Sequence, residues 1–275
     1  MNEALWYVYA VVRPFEGELP EDVRGLDGEP PRLIAHRGLC AAASPVPPGD
    51  FDAGPLRAHL EDLDWLAATA RAHQAVVAAL SSVTCAIPLR LATVCRDTSG
   101  VQRLLDAGRA GFEAALERLD GRVEWGVKVY AEAASGEPAP APQAKPASGR
   151  EYLRRRLGQR QAREDTWRQA GALSRTLHQE LSGHAEAQRL HRPQSARISQ
   201  QPGENVLNAA YLVPRERGAE FVALVERHRS RAAGVRVEVT GPWAPYSFAG
   251  AADADGGGAD EEADGGGAGE PDAIR

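Results

Sequence analysis

The spacing of apolar and polar positions changes several times along the chain, and each change predicts a different element. Residues 5–12, LWYVYAVV, are apolar on both alternating faces, which is typical of a central strand covered on both sides. Residues 31–46 predict a β-hairpin that turns at Arg37. Residues 122–130, RVEWGVKVY, alternate strictly between apolar and polar side chains. We expect this strand to bury its apolar face. Its polar face has three possible interpretations: one wall of a catalytic site, a docking surface for another protein, or the solvated side of a sheet.

Two stretches place their apolar residues at helical spacing. Residues 56–80 form one such stripe, and His73 lies on it. Residues 101–119 form the other. Between them, residues 84–95, TCAIPLRLATVC, predict a strand with Arg90 on its polar face. The first half of the chain therefore predicts strands and helices in alternation.

The strand–helix–strand order recurs in the second half, where residues 205–214 and 234–243 predict strands and residues 218–230 a helix. Both halves predict an α+β fold of two ferredoxin-like α/β-sandwich domains, each a sheet with helices on one face. The second domain adds a helical arm, residues 150–190. Glycines interrupt the thin apolar stripe of this arm and predict a broken helix or a helical hairpin.

Composition sets the predicted boundaries: an N-terminal α+β domain at 1–134, a Pro/Ala linker at 135–149, a C-terminal α+β domain at 150–249, and an acidic tail at 250–275 that we expect to be disordered. The chain carries a net charge of −6. The tail alone holds eight acidic residues and one arginine, whereas residues 150–197 hold eleven arginines and five acidic residues. Such segregation favours protein or polyanion contacts, although solvated helix faces give the same distribution.

The hydropathy of the chain, its N-terminal residues and its three cysteines predict where the protein is located and the state of its thiols. No window approaches 18 consecutive apolar residues, and the N-terminus lacks the basic region of a signal peptide. We therefore expect a soluble, cytoplasmic protein with no membrane partner. Cys40, Cys85 and Cys95 are scattered and have no metal-ligand spacing, so they predict free, mostly buried thiols.

Local signatures of catalysis and cofactor binding are missing from the sequence. It contains no G-x-S-x-G, no H-x-x-x-H, no Walker A loop and no G-x-G-x-x-G that opens a helix after a strand. The arginines of the helical arm lack the interleaved aromatic residues that single-stranded nucleic acids stack on. The sequence therefore predicts no cofactor, no metal and no nucleic-acid partner.

Arg90 and Glu124 are the sharpest candidate pair. If both lie on the polar face of one sheet, they pair across neighbouring strands, and we favour a structural ion pair because no second titratable group converges on them. Because His73 lies on the apolar stripe of residues 56–80, we expect it to be a hydrogen-bonded core histidine rather than a general base. Trp125 and Lys128, on the same strand as Glu124, complete the set of candidate structural or docking residues.

Seven segments together resemble the gas vesicle protein family GvpL/GvpF, in the order found in that family and from about residue 5 to 249. They are LWYVYAVV, ARAHQAVVAAL, IPLRLATVCRD, LDGRVEWGVKVYA, SGREYLRRR, VLNAAYLVPRE and VRVEVTGPWAPYSFAG. Arg90 and residues 124–128 match the family pattern without change. Leu91-Ala92 departs from it, since members usually carry Phe-Gly there, and this change bears on partner affinity if the pair shapes a groove.

The resemblance implies two α+β domains of ferredoxin-like type, with a helical portion in the second. It implies an accessory or minor structural component of gas vesicles that contacts the small hydrophobic shell protein GvpA and other assembly factors. It implies no catalytic activity. The alternative is an enzyme or nucleotide-binding module on a ferredoxin-like scaffold. A concave pocket with several polar groups near Arg90, Glu124 and His73 would favour that alternative.

Overall fold

The structure is a computed structural model that describes residues 4–17, 19–132, 149–193, 203–229 and 234–250. The strands are β1 (Leu5–Val12), β2 (Arg32–His36), β3 (Leu39–Val46), β4 (Ala86–Pro88), β5 (Val94–Cys95), β6 (Arg122–Ala131), β7 (Ala187–Leu190), β8 (Glu204–Pro214) and β9 (Val235–Trp243). The helices are α1 (Pro48–Phe51), α2 (Ala53–His59), α3 (Leu63–Val83), α4 (Thr98–Leu119), α5 (Gly149–Ser182) and α6 (Gly218–Arg229). The predicted linker before Gly149 and the predicted tail after Gly250 lie outside the described residues.

The first sheet has the strand order β2-β3-β1-β4, and β5 also pairs with β1; all pairs are antiparallel. The central strand β1 is buried from Tyr7 to Val12. Val8 and Val11 share a core with α4, whereas Tyr7 and Tyr9 share one with α3 on the opposite face. The prediction of a strand covered on both sides is confirmed. The prediction that helices cover only one face of this sheet is wrong, because α4 packs on the second face.

The predicted β-hairpin is confirmed as β2 and β3, which pair from Arg32 to His36. Its turn residues Arg37 and Gly38 have φ values of 47° and 84°. A two-residue turn with positive φ at both positions matches the right-handed twist of the flanking strands. Gly38 adopts this conformation without strain because it has no Cβ.

Two elements of the first half are interrupted where the sequence predicted continuity. The helical stripe at 56–80 is divided between α2 and α3, because the Asp62 side chain accepts two backbone N–H hydrogen bonds and caps α3. The strand predicted over 84–95 is divided into β4 and β5. Between them, Ala92 has a φ of 63°, a left-handed conformation that an extended strand does not contain.

The second sheet has the strand order β7-β8-β6-β9, again antiparallel. Strand β6 pairs with β8 along its full length, from Arg122 to Ala131, and with β9 on its other side. The prediction that residues 122–130 complete the sheet of the N-terminal domain is therefore wrong. Alternation along a strand shows which face is buried, but it does not show which strands become its neighbours.

The chain is accordingly described as two units, the first unit at residues 4–119 and the second unit at 122–250. The predicted boundary at residue 134 separates β6 from β8 and β9, its partners in the second sheet. The second unit follows the order β6-α5-β7-β8-α6-β9, which is the βαββαβ order of ferredoxin-like folds. The first unit instead has three consecutive strands before its helices.

The predicted helical arm contains one uninterrupted helix, α5, which is 34 residues long. The expectation of a broken helix or a hairpin is wrong, and residues 187–190 form a strand. The C-terminal half of α5 is held by packing, since Ala170, Leu177 and Leu181 are fully buried in a core with α6 and one face of the second sheet. In this half, tertiary packing outweighs the cost of about 1 kcal/mol for Gly171 inside the helix.

Within the described residues, none of the helices has an apolar stretch long enough to cross a membrane.

Candidate functional site

Glu124 lies on β6, where the face of the second sheet turned away from α5 and α6 meets the first unit. Its two carboxylate oxygens accept hydrogen bonds from Ser247, at 2.8 Å from the backbone N–H and 2.7 Å from the hydroxyl. Burial raises the pKa of Glu124, and these two hydrogen bonds counteract part of the shift. The carboxylate is therefore held by the chain itself.

Arg90 does not pair with Glu124, so the predicted ion pair is wrong. Arg90 is exposed in the turn between β4 and β5 of the first unit, whereas Glu124 belongs to the second sheet. The pairing required both residues to lie on neighbouring strands of one sheet. Ser247, which the sequence analysis did not single out, binds the carboxylate instead.

His191 also approaches Ser247, with its Nε2 3.2 Å from the hydroxyl oxygen. Burial lowers the pKa of His191, and the nearby positive charges of Arg189 and Lys128 lower it further. The serine hydroxyl therefore lies between a carboxylate and an imidazole. In a catalytic triad the imidazole stands between the serine and the carboxylate, so the order of the three groups here differs.

Ser247 belongs to residues 244–250, which we call the closing segment because it contacts both units. Ala244 packs in the core between the first sheet and α3, and Phe248 packs in the core of α4. The Arg118 guanidinium of α4 donates to the carbonyl oxygens of Phe248, at 2.9 Å, and Gly250, at 3.3 Å. The closing segment thus joins the second unit to the first through apolar packing and hydrogen bonds.

His73 is 3 % exposed and lies in the first unit, on α3. Its Nδ1 is 2.9 Å from the Tyr7 hydroxyl, which also accepts a hydrogen bond from the backbone N–H of Ala92. Burial lowers the pKa of His73 to about 4. The ring of Tyr246, in the closing segment, lies 6.3 Å from the His73 ring. His73 is therefore a neutral core residue beside the junction of the two units.

Trp125 and Lys128 lie on opposite faces of β6. Trp125 stacks on Phe221 of α6, with ring centroids 6.2 Å apart, so it belongs to the helix-covered core. Lys128 stands opposite Asn208 of β8 and Glu238 of β9. Of these two residues, only Lys128 is on the polar face that the sequence analysis singled out.

The far end of the same polar face carries a second charged group of side chains. The Arg236 guanidinium lies over the Tyr130 ring, 4.2 Å from its centroid, and pairs with Glu132 at 2.6 Å. Arg236 also pairs with Glu238. The polar face of β6 is therefore an ordered, ion-paired sheet surface at one end and a contact with the closing segment at the other.

A cleft of about 260 Å³ lies between the two units. Its lining includes the ends of α3 and α4, together with Cys85, Arg122, Arg215 and Trp243. Burial raises the pKa of the Cys85 thiol to about 11, so the reactive thiolate is scarce near neutral pH. Cys40, Cys85 and Cys95 are all free thiols. In the described parts of the chain, no group of three histidine, cysteine or acidic residues is arranged to hold a metal ion.

The N-terminal half of α5, residues 149–164, projects from the second unit, and every residue in it is exposed. We call it the arginine-rich half, because it carries Arg150, Arg154, Arg155, Arg156, Arg160 and Arg163. Leu153 and Leu157 are 61 % and 66 % exposed. Charged and apolar side chains are thus presented together on a helix that has its core contacts only further along.

Known proteins resemble this chain in both sequence and structure. The family described as gas vesicle synthesis protein GvpL/GvpF matches residues 5–250. The chain belongs to the GvpL/GvpF family. It is 63 % identical over 257 residues to gas vesicle protein L of a Streptomyces species, a match that covers 92 % of this chain and 96 % of that protein.

Solved structures of the GvpL/GvpF family share the fold. The crystal structure of GvpF from Microcystis aeruginosa aligns with a TM-score of 0.62 at 20 % identity, over 90 % of this chain and 99 % of that chain. GvpF from an Anabaena species aligns with the same TM-score at 21 % identity, over 93 % and 100 % of the two chains. The two-sheet mixed α/β architecture is therefore shared with solved GvpF structures.

Ala92, in the turn between β4 and β5, has an unusual backbone conformation. Its φ of 63° lies in the left-handed region that glycine adopts without steric cost. Its N–H is held by the Tyr7 hydroxyl at 3.1 Å. The turn therefore keeps a conformation suited to glycine although the residue is alanine.

Proposed function

We propose that this protein takes part in gas vesicle formation by binding the shell protein GvpA and other accessory gas vesicle proteins in the cytoplasm, and that it catalyses no reaction. The observation that carries the proposal is the GvpL/GvpF match over residues 5–250, which spans both units. The contact between Glu124 and Ser247 supports it, because these polar groups bind each other inside the chain. An enzyme of this size would present such groups to a substrate in an open pocket.

We place the contact with GvpA on the first unit. The interior strands β1 and β3 are covered on both faces, so an apolar partner meets this unit at an edge of its sheet, and we place the contact at the edge strand β2. Leu33 on β2 is 44 % exposed. An edge strand offers unpaired backbone groups to a partner strand, and an exposed leucine adds apolar contact for a hydrophobic protein.

The arginine-rich half adds a charge-dependent contact with accessory proteins. Its arginines are exposed, so their attraction to an acidic partner is screened by salt. Leu153 and Leu157 add an apolar component that salt does not screen. Raising the salt concentration therefore weakens this contact without abolishing it.

Co-expression of the full chain with GvpA, followed by pull-down, tests the proposal. Leu33→Lys places a charge on the edge of the first sheet and is expected to reduce the captured GvpA severalfold. Leu190→Lys is the matched control, since Leu190 is an exposed leucine on β7, an edge strand of the second sheet. It is expected to leave capture unchanged. Loss of capture with Leu190→Lys but not with Leu33→Lys would move the contact to the second unit.

A further inference from the structure

The arginine-rich half concentrates positive charge on a part of α5 that has no core contacts. Arg150 and Arg154 are four positions apart along it, as are Arg156 and Arg160. Like charges at this spacing lie side by side on the helix surface and destabilise it. The ion pair of Arg160 with Glu164 is 79 % and 58 % exposed on its two partners, so it compensates little. A bound anionic segment would relieve the repulsion along this surface.

The chain itself contains such a segment. Residues 251–275 hold eight acidic residues and a single arginine, which opposes the charge of the arginine-rich half. Four of these acidic residues are clustered within Asp260–Asp264 as DEEAD. Without this C-terminal segment, the remaining charges nearly cancel. The two most strongly charged stretches of the sequence are therefore of opposite sign.

The chain beyond Gly250 is long enough for the acidic segment to reach the arginine-rich half. The described chain ends at Gly250, where Arg118 holds its carbonyl oxygen on the side of the second sheet opposite α5. Asp264 is 14 residues further, and a chain spans at most about 3.5 Å per residue, so its reach is about 50 Å. A domain of this length has a radius of gyration of about 19 Å. The acidic residues can thus pass around the sheet edge to the arginine-rich half.

We infer that the acidic C-terminal segment of this same chain, residues 251–275, binds the arginine-rich half of α5 through charge pairing. Because the two are tethered, the effective concentration is on the order of millimolar, so even a weak contact is populated. An acidic partner of this helix must displace the segment first. The segment therefore acts as an intramolecular competitor, and the contact exists whether or not the proposed function holds.

Hydrogen–deuterium exchange of the full-length protein measures the contact directly on residues 149–164. The test variant neutralises four acids: Asp260→Asn, Glu261→Gln, Glu262→Gln and Asp264→Asn. The matched control removes the same charge from the exposed loop before β2: Glu16→Gln, Glu21→Gln, Asp22→Asn and Glu29→Gln. At low salt, the test variant is expected to exchange about 3 to 10 times faster than wild type in this helix half. The control is expected to match wild type.

Salt and protein concentration distinguish this contact from others. The difference between wild type and test variant is expected to vanish at about 0.5 M salt, because exposed charges are then screened. Protection that rises with protein concentration would overturn the intramolecular contact and assign the segment to a second copy of the chain. Equal exchange of wild type and test variant at low salt would overturn the inference altogether.

A charge reversal gives an independent check. Arg154→Glu, Arg155→Glu and Arg160→Glu together are expected to remove the protection in the full-length chain. Replacing Asp260, Glu261 and Asp264 with lysine in that same variant is expected to restore it, because opposite charges again face each other. Failure of this second change to restore protection, with the helix still formed by circular dichroism, would contradict charge pairing.

Discussion

The closing segment and the arginine-rich half both carry polar contacts, but the contacts differ in burial. At the closing segment, Ser247 binds the half-buried Glu124 carboxylate with two hydrogen bonds, and Arg118 binds two carbonyl oxygens. On the arginine-rich half, the charged side chains are exposed to solvent. Removing one partner of a buried hydrogen bond strongly lowers the free energy of unfolding, whereas an exposed ion pair contributes at most about 1 kcal/mol to it.

The difference shows what each region does for the fold. The closing segment holds the two units in place, so changes there should alter the stability of the whole protein. The arginine-rich half lies outside the cores, so changes there should alter binding and local helix content but not global stability. The same substitution made in both regions separates these two roles.

Glycine-to-alanine substitution gives the largest expected contrast. A Cβ at Gly241, just before the closing segment, would lie 2.8 Å from the Glu124 backbone oxygen, at a φ of +127°. We expect Gly241→Ala to lower the free energy of unfolding by about 3 kcal/mol, through steric clash and backbone strain. Gly158 of the arginine-rich half has open space around its Cβ position. Gly158→Ala should raise helix content and leave global stability nearly unchanged.

Urea denaturation and circular dichroism measure both variants. A Gly241→Ala protein as stable as wild type would contradict the close packing of this residue against β6. A loss of global stability in Gly158→Ala would show that the arginine-rich half takes part in a core.

A double-mutant cycle between Glu124 and Ser247 tests the contact at the closing segment. We expect Glu124→Ala to cost about 2 kcal/mol, and the double variant with Ser247→Ala to cost less than the sum of the single variants. Arg90→Ala combined with Glu124→Ala should give additive losses, because the two residues do not touch. Denaturation curves measure all variants. Additive losses for Glu124 and Ser247, or coupling between Glu124 and Arg90, would overturn this assignment.

The arginine-rich half supplies the matched control for that cycle. Glu164→Ala removes a carboxylate that pairs with Arg160 on the exposed helix surface. We expect a change within about 0.5 kcal/mol, because solvent screens this pair. A cost as large as that of Glu124→Ala would erase the distinction between the two regions.

The stability of the protein should depend on pH through His73, which lies beside the junction of the two units. Its pKa is lowered to about 4 in the folded protein, from the ordinary value of 6.5. The unfolded chain therefore takes up a proton below pH 6.5 that the folded protein excludes until near pH 4. Stability is full above pH 6.5 and falls as the pH drops, by about 1 kcal/mol between pH 7 and 5.5.

His73→Gln keeps a hydrogen-bonding group near the Tyr7 hydroxyl but does not titrate, so it is expected to reduce this slope. Part of the slope remains in this variant, because burial also lowers the pKa of His191. Urea denaturation at pH 7.0, 6.2 and 5.5 measures the slope. His184→Gln, near the C-terminal end of α5, serves as a histidine control and should keep the wild-type slope. An unchanged slope in His73→Gln would refute the assignment to this residue.

The smallest expected effect is a gain in stability at Ala92. Ala92→Gly relieves the left-handed conformation but adds freedom to the unfolded chain, and we expect a net gain of about 0.5 kcal/mol. Ala110→Gly, on the exposed surface of α4, is expected to lose about 1 kcal/mol instead. Thermal denaturation compares the two. A loss of stability in Ala92→Gly would contradict the positive φ at this turn.

Much of the secondary structure was predictable because it depends on residues close in sequence. The burial of β1 on both faces and the β2–β3 hairpin follow from apolar runs and turn residues. The break between α2 and α3 was missed, although Asp62 is a recognisable N-cap residue. The prediction of one strand over 84–95 was wrong because this segment contains a turn. A tertiary hydrogen bond, donated by the Ala92 N–H to the Tyr7 hydroxyl, supports that turn.

By itself, the sequence determined the family, the type of most elements and the opposite charges of its two most charged stretches. Only the tertiary structure decided that β6 joins β8 and β9, and that Ser247 rather than Arg90 binds Glu124. Periodicity records whether a side chain faces core or solvent, and it is a local property of the chain. Ser247 and Glu124, for example, are more than 100 positions apart in the sequence. They meet only when the closing segment packs against β6 in the folded protein.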